Sequence, residues 1–231
     1  MSIDILDKAR TFLVDSLKGK QNGFEQRHPW RKDWGFAVLH SLRVEAYTLK
    51  ILAREQHHLS ESEMVLLRLA AILHDISRLE NRESHASLGA KIVDQWLRKD
   101  SGLHLNNSDI ERVSEMIADH SNKDVHEQDF SKAVLKDADT LDEIGVMSIF
   151  MASNWLEVRS PFFFYDLRKR LIDFELPFCD KKMGILNTNG AREILSEKKA
   201  FVENFIAQIT DEIEAEGQME QIILELSENR D

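Results

Sequence analysis

The sequence predicts an all-α fold. Glycine and proline are scarce, at 9 and 3 of 231 residues, so few places are marked for tight turns or strand edges. Runs rich in Val, Ile and Thr, which favour strands, are few. Apolar residues instead recur at helical spacing in one segment after another.

Residues Ile3 to Leu17 form the first expected helix, ended by Gly19 and Gly23. The segment from Arg27 to Trp34 reads as an ordered loop, because Trp30 and Trp34 need cover. A second helix runs from about Gly35 to Gln56, with His40, Val44, Tyr47 and Ile51 on its inner stripe. His57 and His58 lie in the polar turn that follows. Ser60 and Glu63 make a capping box for the third helix. That helix carries Leu66-Leu67-Arg68-Leu69-Ala70-Ala71-Ile72-Leu73, the most apolar run in the chain, and ends in His74-Asp75. A helix apolar all round is a buried, central one.

A polar connection, Ser77 to Ser84, leads to a helix that ends before Gly102 and carries His85, Leu88, Ile92 and Trp96 on one face. Ser108 and Glu111 predict a second capping box, opening a helix with Ile110, Val113, Ile117 and His120 in register. Ser131 is expected to open the next helix, which carries Asp137-Ala138-Asp139-Thr140-Leu141-Asp142. Four histidines, His40, His74, His85 and His120, thus each extend an apolar stripe. Beyond Gly145 the chain turns aromatic, with Phe162-Phe163-Phe164-Tyr165 followed by Arg168-Lys169-Arg170. A long helix is expected from about Ala191 to Glu216, interrupted by Gly217, and a short amphipathic one from Met219 to Leu226. A soft boundary near Phe150 divides a helical core, 1–150, from a C-terminal appendage, 151–231, packed on that core rather than forming an independent domain.

Composition narrows the partners. A net charge of −11 disfavours a nucleic-acid backbone. The single cysteine, Cys179, rules out intrachain disulfides and thiolate zinc sites. It fits a reducing compartment, and the start Met1-Ser2-Ile3-Asp4-Ile5 does not read as a signal peptide, so a cytoplasmic setting is expected. No run of about 18 apolar residues is present, so no membrane span or membrane partner is expected.

A buried carboxylate beside an imidazole is costly unless a cation offsets it, so His74-Asp75 is a candidate metal pair. The order His40, His74-Asp75, Asp139 resembles the HD-domain superfamily of metal-dependent phosphohydrolases, in its small standalone bacterial form. His40-Ser41-Leu42-Arg43-Val44 looks like the first motif of that family, and Ala70-Ala71-Ile72-Leu73-His74-Asp75-Ile76 looks like the second. His85-Ala86-Ser87-Leu88-Gly89-Ala90 is similar to a segment that often follows. Asp137-Ala138-Asp139-Thr140-Leu141-Asp142 looks like the last motif, with Asp139 at the ligand position, and Thr188-Asn189-Gly190-Ala191-Arg192 also fits. The resemblance covers roughly residues 35 to 215. Ser77, Arg78 and Ala37 stand where members often have Gly, Lys and Asp.

The resemblance implies an HD-type helical fold with additional C-terminal helices. It implies a divalent transition metal held by His40, His74, Asp75 and Asp139, with manganese, iron, cobalt, zinc or nickel as candidates. His85 and His120 are candidates for a second ion bridged by Asp75, with occupancy falling as the pH drops through about 6.5. Such a metal acidifies its water and draws charge from a phosphoryl oxygen, the chemistry of phosphate ester or anhydride hydrolysis. Asp75 and Arg78 are the candidate catalytic residues. Arg78 and Arg168 are the candidate substrate contacts. Arg43 reads either as a phosphate contact or as a surface residue. Arg168-Lys169-Arg170 reads either as a solvated helix face or as a lid over the substrate. Asp137 and Asp142 read as neighbours of the ligand or as solvated. The implied substrate is a small phosphorylated molecule of nucleotide type. The alternatives are a catalytically silent metal- or nucleotide-binding sensor, and a scaffold that recruits a partner or dimerises through Met219–Leu226. A homodimer is left open.

Overall fold

The computed structural model describes residues 2–22, 32–80, 82–99, 105–123, 126–214 and 225. Among the described residues every regular element is helical, and the only strand-like feature is an isolated bridge between Gln21 and Asp33. The helices are α1 (Ser2–Leu17), α2 (Trp34–Leu52), α3 (Glu61–Leu73), α4 (His85–Lys99), α5 (Asn107–Asp119), α6 (Phe130–Leu141), α7 (Val146–Ser153), α8 (Phe163–Arg170), α9 (Leu176–Met183) and α10 (Asn189–Glu214), with a π-helical turn at Leu171–Glu175 between α8 and α9. The chain divides into two compact units. One holds residues 1–142 and 182–194, the other 143–181 and 195–231.

In the first unit α3 is the hub. The Ser60–Glu63 capping box forms as expected, with the Ser60 hydroxyl accepting from Glu63 N–H at 3.2 Å and the Glu63 carboxylate from Ser60 N–H at 2.9 Å. From Leu66 to Leu73 every residue but Arg68 is buried, and each large apolar side chain there contributes about 1.5–3 kcal/mol over its exposed state. α3 packs against α1, α2, α5 and α6, while α4 lies on α5 and α2 on α6. The helix ends at Leu73, and His74 caps it in helical conformation.

A carboxylate is buried where α1, α2 and α3 meet. Glu45 of α2 accepts from Arg10 of α1 (Nη2 at 2.7 Å) and from Arg68 of α3 (Nη2 at 2.7 Å, Nε at 3.0 Å). Its side chain is 8% exposed, so two guanidinium groups supply the hydrogen bonds that burial takes from water.

Three boundaries differ from expectation. α6 is opened by Asp129, whose side chain accepts from Lys132 N–H at 3.0 Å, not by Ser131. α2 stops at Leu52 rather than Gln56. α5 is capped by Asn106, whose side chain accepts from Asp109 N–H at 2.9 Å, not by Ser108 with Glu111. Asn and Ser are near-equal caps, and the helix opened by Asn106 buries Ile110, Val113, Met116 and Ile117.

The return of the chain to this unit is fixed by Asp137. Its carboxylate accepts from Asn187 N–H (3.0 Å), the Asn187 amide (3.0 Å), Thr188 N–H (2.7 Å) and the Thr188 hydroxyl (2.8 Å). Asp137 is therefore neither solvated nor beside a ligand. Burial pushes its carboxyl up, against those hydrogen bonds. At Gly190 a Cβ would lie 2.7 Å from the Ile51 carbonyl, and the bare backbone N–H instead donates to Glu55 at 2.5 Å.

The second unit has its own core of Ile149, Ala152, Leu167, Leu171, Val202, Ile209 and Ile213, against which Phe163, Tyr165 and Phe205 pack. The aromatic run is thus split: Phe162 is buried, while Phe164 is 57% exposed. Gly145 precedes α7 with φ +87°, where a side chain is disfavoured and a Cβ would also press on Lys198. Gly23 and Gly102, most of the Arg27–Trp34 loop, and Gly217 with the Met219–Leu226 helix lie outside the described residues, apart from Glu225.

Candidate metal centre

Three helix ends and the second turn of α2 bring the histidines together. His40 rides on α2, His74 caps α3, His85 opens α4 and His120 caps α5. Asp75 follows in the turn after α3, and Asp139 lies on α6. Ser77, where a glycine is common, ties this turn to the start of α4, because its hydroxyl donates to the His85 carbonyl at 2.6 Å.

The rings are oriented from behind. The Nδ1 atoms of His74, His85 and His120 lie 2.9, 2.9 and 2.7 Å from the backbone carbonyls of Ala71, Arg82 and Ile117. A carbonyl only accepts, so each Nδ1 carries a proton, and in the neutral form of each ring an Nε2 lone pair is turned forward. The Nε2 atoms of the four rings come together in pairs. Nε2 of His74 is 3.2 Å from Nε2 of His40, and Nε2 of His85 is 3.2 Å from Nε2 of His120.

The carboxylates complete the cluster. Asp75 Oδ2 lies 3.5 Å from His40 Nε2, and its Oδ1 lies 3.3 Å from His85 Nε2 and 3.5 Å from His120 Nε2. Asp139 Oδ1 is 3.3 Å from His40 Nε2 and 3.8 Å from His74 Nε2. Three overlapping sets have ligand atoms within 4.8 Å of one another: His40, His74 and Asp75; His74, His120 and Asp139; and Asp75, His85 and His120. Asp75 Oδ1 is buried without a hydrogen-bond partner among the described residues. A buried, unsatisfied carboxylate oxygen between two imidazole lone pairs has the donor chemistry of a divalent cation site. The residues present therefore fit a metal.

Electrostatics follow the same geometry. Burial works against the charge of Asp75, but His74, His120 and His40 hold its carboxyl well below the usual range. Asp139 is likewise held low despite burial, chiefly by the Lys123 ammonium and then by His40 and His74. Burial opposes a charge on His40 too, yet its bonds to Asp139 and Asp142 and the charge of Asp75 push it up to about 10. His85 goes the other way, to about 4, through burial, then the Arg78 charge and His120, against the pull of Asp75.

Two groups carry more than the sequence revealed. Asp142 is buried, accepts from His40 Nδ1 at 2.7 Å, and takes a fork from Arg43 at 2.8 and 2.9 Å. It thus orients His40 as the carbonyls orient the other rings, and Arg43 holds Asp142 in place behind the ring. Lys123 pairs with Asp139 Oδ2. It sits three residues after His120, a position that carries no motif. Arg78 places Nη1 3.0 Å from His85 Nε2, beside the cluster. Arg168 lies on α8 in the second unit, half-buried, its Nε without a hydrogen-bond partner among the described residues.

Comparison with known proteins agrees with this arrangement. The family model of the HD domain matches residues 38–144. No curated protein matches the sequence. Among solved structures, YpgQ of Bacillus subtilis shares 21% identity over 92% of this chain and 97% of its own, with a TM-score of 0.58. It has also been solved in complex with ADP, matching with 22% identity, 92% and 96% coverage and a TM-score of 0.58. A predicted HD superfamily hydrolase from an uncultured Thermotogales bacterium matches with 20% identity, 90% and 92% coverage and a TM-score of 0.60. At these identities the likeness is one of fold. The motif-bearing residues from His40 to Asp142 all fall inside the matched segment, so it is residues 38–144 of this chain that match the HD-domain family.

Proposed function

We propose that the protein is a metal-dependent phosphohydrolase acting on a small nucleotide-like phosphate ester or anhydride. His40, His74, Asp75 and Asp139 hold the first divalent transition metal, and His85 and His120 with Asp75 hold a second, weaker one. The observation that carries this reading is the meeting of forward-turned imidazole nitrogens at the unsatisfied Asp75 Oδ1. A divalent cation held there supplies Lewis acidity toward a phosphoryl oxygen and toward water at neutral pH. The chain's own groups do the rest. The carbonyl bonds and Asp142 keep the rings in the ligating tautomer, with no reorganisation needed when substrate arrives. Arg78 brings a permanent positive charge to the edge of the cluster, suited to a phosphoryl oxygen. The ADP complex of B. subtilis YpgQ supports the nucleotide assignment.

The test combines elemental analysis of purified protein with a screen of phosphorylated substrates, with and without chelator. Wild type is expected to carry manganese, iron, cobalt, zinc or nickel and to lose turnover on chelation. The double variant His74→Ala/Asp75→Ala is expected to lose both metal and turnover while keeping its helical circular dichroism. Stoichiometric metal retained in that variant sinks the site. Bound metal with no turnover on any substrate moves the protein to the silent, sensing class.

A further inference from the structure

Two cationic side chains sit on atoms that the metal reading requires. Arg78 Nη1 lies 3.0 Å from Nε2 of His85. The Lys123 ammonium is paired with Oδ2 of Asp139. Lys123 lies in the turn after α5, where Asn122 N–H donates to the Asp119 carbonyl at 3.0 Å and Lys123 N–H to that of Ser121 at 3.1 Å. This turn joins it directly to His120. The side chains of Lys123 and Asp139 are 24% and 14% exposed, against 0% and 1% for His74 and His120. The ammonium therefore meets Asp139 on the solvent side of the cluster.

Asp139 uses its two oxygens differently. Oδ1 turns inward, toward His40 and His74, and Oδ2 outward to Lys123. In the absence of a metal the ammonium neutralises a carboxylate that is otherwise nearly enclosed. With a divalent cation on the same carboxylate, a third positive charge stands within a few ångströms of two others. A lysine can leave, because its ammonium is compact and its four-carbon stem flexible. What draws it is the anion that arrives beside the metal.

Building on the proposed function, we propose that Lys123 is an exchangeable counter-ion. It neutralises Asp139 while the site is metal-free, and turns to the phosphoryl group of the substrate once a metal takes that carboxylate. Lys123 then sets both how tightly the metal is held and how well the loaded site holds an anion.

The experiment needs no turnover. Manganese is titrated calorimetrically into metal-free wild type, Lys123→Met and Lys123→Arg, and inorganic phosphate is then titrated into each metal-saturated protein. Lys123→Met keeps the stem and removes the charge. It is expected to bind manganese about tenfold more tightly, as one partly exposed repulsion is lost, and to melt at lower temperature than wild type when metal-free. Its affinity for phosphate is expected to fall about 10- to 100-fold, the effect of losing one charge-assisted hydrogen bond. Lys123→Arg is expected to stay close to wild type for phosphate. If Lys123→Met does not fold, Lys123→Gln makes the same comparison. Manganese binding that is unchanged or weaker without the charge overturns the inference, as does unchanged phosphate binding. Either result, with wild type still binding metal, leaves the proposed function standing. A wild type that takes up no metal removes both.

Discussion

His40 shows how far one side chain can be moved by its neighbours. An ordinary imidazole loses its proton near pH 6.5, and on that basis metal occupancy is expected to fail only below that value. In the folded chain, burial disfavours the imidazolium, but Asp139, Asp142 and Asp75 outweigh it and raise His40 to about 10. The raised value means that protonated His40 stabilises the metal-free protein fully below about pH 6.5, and that this contribution is lost as the pH rises through about 10. Metal uptake at pH 7–8 must therefore displace that proton. Calorimetry in buffers of different ionisation enthalpy is expected to show roughly one proton released with the first metal, and affinity that keeps rising above neutral pH. Asp142→Asn removes the charge behind the ring. It is expected to reduce the proton release and to weaken metal binding about 10- to 100-fold, as loss of a ligand's supporting hydrogen bond does. Equal release and equal affinity in the variant reject this account. The sequence discloses His40 through its motif. It cannot disclose that Asp142, 102 positions later, grips the far side of its ring, because nothing local marks a contact between α2 and the end of α6.

The helices are legible wherever a local signal decides the matter. Ser60 and Glu63 cap each other within one turn, and the apolar run behind them leaves α3 nowhere to go but the centre. The start of α5 is misread because two cap-forming residues, Asn106 and Ser108, compete within three positions, and cap preference alone does not choose between them. The Glu45 clamp is hidden for a similar reason. A glutamate and two arginines on three helices look like solvated charges until the helices meet. The clamp gives a prediction at this scale. Glu45→Ala leaves Arg10 and Arg68 half-buried without their shared carboxylate, and is expected to cost about 3–5 kcal/mol in denaturant unfolding. Glu45→Gln, which keeps an acceptor, is expected to cost less. Metal content should be unchanged in both, since none of the clamp's groups belongs to the metal cluster. A loss below about 1 kcal/mol for Glu45→Ala would place the trio with ordinary surface pairs.

The two compact units allow stability to be read in two places. Every candidate ligand lies in residues 1–142, and the single cysteine, Cys179, is a buried residue of the other unit. Among the described residues no helix is long and apolar enough to cross a membrane. Burial, with the charge of Glu175, pushes the Cys179 thiol up to about 11, and the side chain is enclosed. Since the thiolate is the reactive form, native protein at pH 8 is expected to react negligibly with a thiol reagent, and one equivalent is expected to react in denaturant. The denaturant dependence of that labelling then reports the second unit alone. A metal held by the first unit stabilises it by about 2.7 kcal/mol at a hundred times its dissociation constant. If the units unfold separately, adding metal is expected to move the main loss of helical signal to higher denaturant and leave the Cys179 midpoint where it was. A Cys179 midpoint that shifts equally with metal means that the two unfold as one cooperative body. Rapid labelling of the native protein would contradict the buried setting of the thiol itself.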